Sequence, residues 1–146
     1  MDLQPLVRGM SLMFDSTLAT MRLVMSGIFE EEPDFKLIVP HTGGFVPFIR
    51  GRVGRMIDAW TSPDDWANLE DSSQDSFQKI YVDTVAHSLE ALEYCLKVYG
   101  ADKLLYGTDH PFASYELSNK MVDNLDCSES DRELINHGNA ERLLGL

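Results

Sequence analysis

Residues 79–109, KIYVDTVAHSLEALEYCLKVYGADKLLYGTD, hold the pattern that sets the fold class. KIYVDTV is a short apolar, β-branched run of the kind that forms a buried strand. HSLEALEYCLKVYG follows it, with Leu89, Leu92, Leu96 and then Val98 or Tyr99 at helical spacing, and Gly100 stands where the helix should stop. LLYGTD, 104–109, is a second apolar burst that ends abruptly at Gly107. A strand, a helix of ten or more residues and another strand imply parallel pairing with a right-handed crossover.

The same rhythm extends upstream. Met10, Phe14, Leu18, Met21, Met25 and Ile28 recur at steps of three and four between Leu6 and Phe29, which predicts a helix whose stripe fills a core or an interface. After the acidic loop EEEPDF comes KLIVPH, a further strand that ends at His41 in a Thr42-Gly43-Gly44 turn, and then a helix over 47–60. TSPDDWANLEDSSQDS, 61–76, reads as a long polar loop.

Downstream, SESD at 128–131 has the form of a capping box, and a helix should run from it to about Asn136. Gly138 is then expected to stop that helix and Asn139 to cap a last turn through ERLLGL. The whole is an α/β chain: one domain, 1–146, with about three parallel strands and flanking helices.

Composition narrows the partners. Twelve Lys and Arg against 24 Asp and Glu leave a formal charge of -12, which repels a phosphate backbone and argues against nucleic acid. Asp2, Arg8, Asp15 and Arg22 break the opening stretch 1–25 too often for a membrane span or a signal-peptide apolar run. Cys95 and Cys127 lie far apart with no CxxC, so reduced thiols and a cytoplasmic location are expected.

In parallel sheets, ligands and chemistry gather at the carboxyl ends of the strands. Here those ends are His41-Thr42-Gly43-Gly44, Asp83-Thr84 and Gly107-Thr108-Asp109-His110. A carboxylate at the tip of a buried strand needs compensation from a helix N-terminus, a base or a metal ion. Asp109 therefore either caps the next helix or binds a cation. His41 is either a hydrogen-bonded histidine beside a glycine turn or an acid/base group. Asp83 either orients His41 or a ligand, or satisfies nearby backbone donors. Arg50, Arg52 and Arg55 form a solvated helical face or a carboxylate clamp, and His87 and His137 read as helical surface or packing residues.

FEEEPDFKLIVPHTGG, PFIRGR, KIYVDTV, GADKLLYGTDHPF and GNAERLLGL, in this order and spacing, resemble the second half of the amidohydrolase-2 family. These are metal-dependent decarboxylases and hydrolases of the aminocarboxymuconate-semialdehyde decarboxylase type. The resemblance implies part of a (β/α)8 barrel: strands six to eight with their helices, preceded by the helix after strand five. On that mapping Asp109 matches a metal-ligand aspartate, and His41 matches the histidine that moves a proton or polarises water. Arg52 resembles an arginine that reaches across a homodimer interface to hold a substrate carboxylate.

The implied cofactor is a divalent ion, zinc with manganese as the alternative, and the implied substrate a small carboxylate, either an aromatic acid or an enoate. PF-x-x-GR favours decarboxylation over hydrolysis. His110 departs from the tyrosine more usual at its position, which leaves it either a ligand or turned away. A complete barrel of this kind takes about 250 residues, and the family's His-x-His pair and fifth-strand histidine have no counterpart in these 146. The isolated chain is therefore expected to bind metal weakly or not at all and to be inactive, as a fragment or as a piece that associates with a complementary segment. The contrasting reading is a non-catalytic degenerate domain or interaction module that keeps the core and has lost the site.

Overall fold

The computed structural model describes residues 4–60 and 73–146, which fall into two compact units. The first comprises Met1–Leu37 and Gly43–Ile80, and the second Ile38–Thr42 and Tyr81–Leu146. Most of the loop expected at 61–76 lies outside the described residues.

The first unit is helical. A short α1 (Gln4–Leu6) and a π-helical turn (Val7–Ser11) lead into α2 (Leu12–Met25), and α3 (Ile28–Glu31) follows. Gly27, at φ 79, separates α2 from α3, so the helix expected to reach Phe29 is broken there. The expected stripe is only half buried. Met21 and Met25 are in the core, but Met10, Phe14 and Leu18 are 60%, 57% and 42% exposed. The buried face of α2 instead runs through Thr17, Thr20, Met21, Val24 and Met25. The threonines can be buried because each hydroxyl donates to a carbonyl one turn back: Thr17 to Met13 at 2.7 Å and Thr20 to Ser16 at 2.8 Å.

The second unit holds the sheet. Strands β1 (Ile38–Val39), β2 (Tyr81–Asp83) and β3 (Leu104–Leu105) pair in parallel in the order β1-β2-β3. Ile38 faces Tyr81 and Val39 faces Val82, while Val82 and Asp83 face Leu104 and Leu105. The strands are shorter than their apolar runs because the flanking residues turn away to build loops. A tight turn, α4 (Pro40–Gly43), follows β1; in the first unit α5 (Val46–Trp60) and α6 (Ser73–Phe77) come next.

After β2, α7 (Leu89–Tyr99) starts at a Ser88 cap and ends at Gly100, φ 85. Its buried face is Leu92, Cys95 and Tyr99. His87 precedes this helix instead of lying on it, and takes φ 56 in the exposed loop. Next come α8 (Tyr115–Asp123), α9 (Glu129–Glu133) and α10 (Asn139–Leu144). Ser128 caps α9 where the capping box was expected: its hydroxyl accepts from the Asp131 N–H at 3.1 Å and donates to the Asp131 carboxylate at 2.8 Å, side chain to side chain.

Gly138 does not stop a helix. At φ -59 it stays right-handed, and a π-helical turn over Leu134–Gly138 joins α9 to α10. Asn139 is not a cap either. It is fully buried, and its amide donates to the carbonyls of Ala101 and Leu104, both at 2.7 Å, while its oxygen accepts from Arg142 at 3.0 Å. The last helix is thereby pinned to the start of β3. No helix among the described residues is long and apolar enough to cross a membrane.

Candidate functional site

Beyond Val39 the chain enters an uncommon conformation. His41 (φ 54, ψ 53) and Thr42 (φ 55, ψ 25) are consecutive left-handed residues, neither of them glycine. Each costs about 1–2 kcal/mol, and for a β-branched threonine such a φ is an outlier. The turn persists because its surroundings hold it. Asp83 Oδ1, at the end of β2, accepts from the Thr42 N–H at 2.9 Å and from the Val85 N–H at 3.0 Å. The Cys95 thiol, nearly fully buried, donates to the Thr42 carbonyl at 3.6 Å. Burial pushes that thiol up to about 11. Of the two roles open to Asp83, satisfying backbone donors is the one observed, and one of those donors belongs to the His41 turn.

His41 is half-buried, and its Nδ1 is buried with no hydrogen-bond partner among the described residues. A buried imidazole nitrogen left unpaired is costly, so the ring is placed to receive a donor or an ion.

Asp109, four residues past β3, is also left-handed at φ 57. Its carbonyl accepts from Phe112 N–H at 2.7 Å and Ala113 N–H at 3.1 Å, which closes a turn around the residue. It does not cap the following helix: Ser114 does, accepting from the Leu117 N–H at 3.2 Å. The half-exposed Asp109 carboxylate is thus left outside a capping role. Thr84 steadies the same loop from β2, because its hydroxyl accepts from the Gly107 N–H at 3.0 Å and donates to the Gly107 carbonyl at 3.3 Å.

His41 and Asp109 therefore stand on the carboxyl ends of the two outer strands of the described sheet, with Asp83 and Thr84 between them on the middle one. The exposed ring of His110 stacks on Tyr115, with centroids 4.9 Å apart and planes 20° from parallel. Arg52 is exposed on α5 in the first unit. Thr84 and Gly107 belong to strand ends marked in the sequence, but neither is given a role there. The cue is a Gly-Thr-Asp after one strand beside an Asp-Thr after its neighbour.

Imidazole and carboxylate suit a divalent cation, but a catalytic zinc site takes about three protein ligands. Among the described residues no group of three or more His, Cys, Asp or Glu is placed to hold a metal ion. These residues do not complete a metal centre by themselves.

The family model described as Amidohydrolase matches residues 8–146. The 2-amino-3-carboxymuconate-6-semialdehyde decarboxylase of Dictyostelium discoideum is 31% identical over 90% of this chain and 37% of its own length. The gamma-resorcylate decarboxylase of Polaromonas sp. is 28% identical over 90% of this chain and 41% of its own length. The crystal structure of dihydroxybenzoic acid decarboxylase from Polaromonas sp., with bound manganese and the inhibitor 2-nitroresorcinol, superposes with a TM-score of 0.79 at 27% identity. That superposition covers 89% of this chain and 40% of the other. The chain spans about two fifths of the length of the curated relatives it matches.

Proposed function

The chain belongs to the amidohydrolase family, and on that premise we propose that it is the carboxyl-terminal part of a metal-dependent decarboxylase acting on a small carboxylated aromatic or enoate. The observation that carries this reading is the pair of left-handed strand tips bearing His41 and Asp109, in a chain whose relatives include decarboxylases of both substrate types. In the proposed reaction the bond between the substrate carbon and its carboxylate breaks and CO2 leaves. The electron pair stays on the carbon, which takes a proton. His41 delivers that proton, since an imidazole can give a proton and regain it within one cycle. Arg52 reaches across the homodimer interface and holds the substrate carboxylate of the other protomer through its planar guanidinium.

Asp109 would supply one ligand to a divalent ion, zinc or manganese. The ion contributes charge stabilisation when bound. On this reading the working form is a homodimer of the longer protein, or this chain associated with a complementary segment.

A second reading, a non-catalytic module that retains the family core, is favoured by the lack of a complete metal cluster among the described residues. Co-expression with the amino-terminal portion of a related decarboxylase separates the two. The proposal expects about one bound ion per assembled barrel, and CO2 release that falls at least a hundredfold in His41→Ala and Asp109→Ala. A folded, metal-free assembly overturns it.

A further inference from the structure

We propose that Asp83 and Thr84 are a pair of positioning residues, one for each loop of the candidate site: Asp83 fixes the His41 turn and Thr84 fixes the Asp109 loop. The inference rests on the reading of His41 and Asp109 as site residues, and it assigns how this chain keeps them in place. Main-chain pairing in the sheet ends at Val39 with Val82 and at Asp83 with Leu105. His41 and Asp109 both lie past that limit, so no ladder hydrogen bond defines where they stand.

Two adjacent side chains on the middle strand take over. The Asp83 carboxylate uses one oxygen to receive two N–H groups, from Thr42 at 2.9 Å and Val85 at 3.0 Å. Hydrogen bonds to an ionised acceptor are among the stronger ones, and this pair offsets the cost of the two left-handed residues. Thr84, only 2% exposed, meets both the N–H and the carbonyl of Gly107, and so stands in for a missing rung of the ladder. Gly107 must itself lie close: a Cβ there would be 3.0 Å from the Asp83 Cβ and 3.4 Å from Val85 Cγ2. The two loops are therefore referenced to neighbouring residues of one strand.

The test uses the 146-residue chain, in which His87, His110 and His137 are internal controls for His41. Long-range 1H–15N spectra report the ring of each histidine, and amide exchange reports Thr42 and Gly107. In Asp83→Ala the His41 ring signals should shift and Thr42 exchange should accelerate roughly tenfold or more, with the other three rings unmoved. Asp83→Asn should restore the native pattern, because its side-chain oxygen can accept both N–H groups. Thr84→Val should accelerate Gly107 exchange to a similar degree, and Thr84→Ser should restore it.

Should alanine unfold the chain, Asp83→Glu supplies the same comparison, since it keeps the charge but shifts the acceptor away from both donors. An unmoved His41 ring in Asp83→Ala or Asp83→Glu overturns the proposal, and so do four histidines shifting together, which marks a general loss of structure. These readouts need neither metal nor substrate. Their failure therefore counts against positioning alone, whereas an assembled but inactive decarboxylase counts against the proposed function.

Discussion

Asn139→Asp exchanges one nitrogen for one oxygen and should be among the most damaging isosteric changes in the chain. The Asn139 side chain is completely buried, and its amide is the donor to two carbonyls, Ala101 and Leu104, at 2.7 Å each. An aspartate presents an acceptor to both. Two neutral hydrogen bonds at about 1 kcal/mol each are lost, and buried acceptors without a partner add about 1–3 kcal/mol. A buried charge costs more still, relieved in part by Arg142, which reaches the other side-chain oxygen at 3.0 Å. The hydrogen-bond losses alone come to about 3–5 kcal/mol, a large share of the 5–15 kcal/mol typical of a domain.

Urea denaturation at pH 8 measures this directly, with Asn139→Ala as the comparator that removes the donors without adding charge. The aspartate should be the worse of the two at pH 8. Its deficit should shrink as the pH falls, because the fold raises the pKa of a carboxyl facing two carbonyls, and the protonated form can donate to one of them. An Asn139→Asp chain within about 1 kcal/mol of wild type at pH 8, or a deficit independent of pH, would show that Asn139 is not the donor to these two carbonyls.

Gly44 has φ 61, and an added Cβ would lie 2.5 Å from Thr17 Oγ1 and 2.9 Å from the Met13 carbonyl. Gly44→Ala should therefore lower the urea-derived stability by about 2–4 kcal/mol through left-handed strain and displacement of Thr17. Thr17→Val should cost about 2 kcal/mol in the same assay, because it removes both the bond to Met13 and the one accepted from the Phe45 N–H at 2.8 Å. Cys95 has its thiol raised by burial to about 11 from 9.0, so the neutral form contributes stability below pH 9 that is lost as the pH rises toward 11. The stability difference between wild type and Cys95→Ala should shrink by about 2 kcal/mol across that window, and a difference that stays constant contradicts the assignment.

Parallel strands separated by helices were legible because KIYVDTV, its helix and LLYGTD carry clean periodicities and Gly100 marks the helix end. The helix at 115–123 was not foreseen: it is only nine residues long and buries only Ser118 and Val122. The first helix misled through its methionines and phenylalanine, since its buried face is built partly from threonines whose hydroxyls are satisfied within the helix. Gly138 and Asn139 misled because a glycine and an asparagine at a helix end usually mean a stop and a cap. Here a right-handed Gly138 continues the helix, and Asn139 serves a long-range contact that local sequence cannot express.

The strand tips bearing His41, Asp83 and Asp109 were readable from residue type and position. Their left-handed geometry and the clamp by Thr84 were not, because both depend on which loops the sheet brings side by side.

His41 and Asp109 are proposed to serve one cation site, and Mn2+ titration of the 15N-labelled chain reads both residues at once. A paramagnetic ion broadens only nearby signals, and even weak binding suffices to show where it sits. The Asp109 amide and the His41 ring should broaden together, ahead of His137 and the acidic surface, and Asp109→Asn should abolish both effects. Broadening that spreads over the acidic surface and spares His41, or that survives in Asp109→Asn, contradicts it.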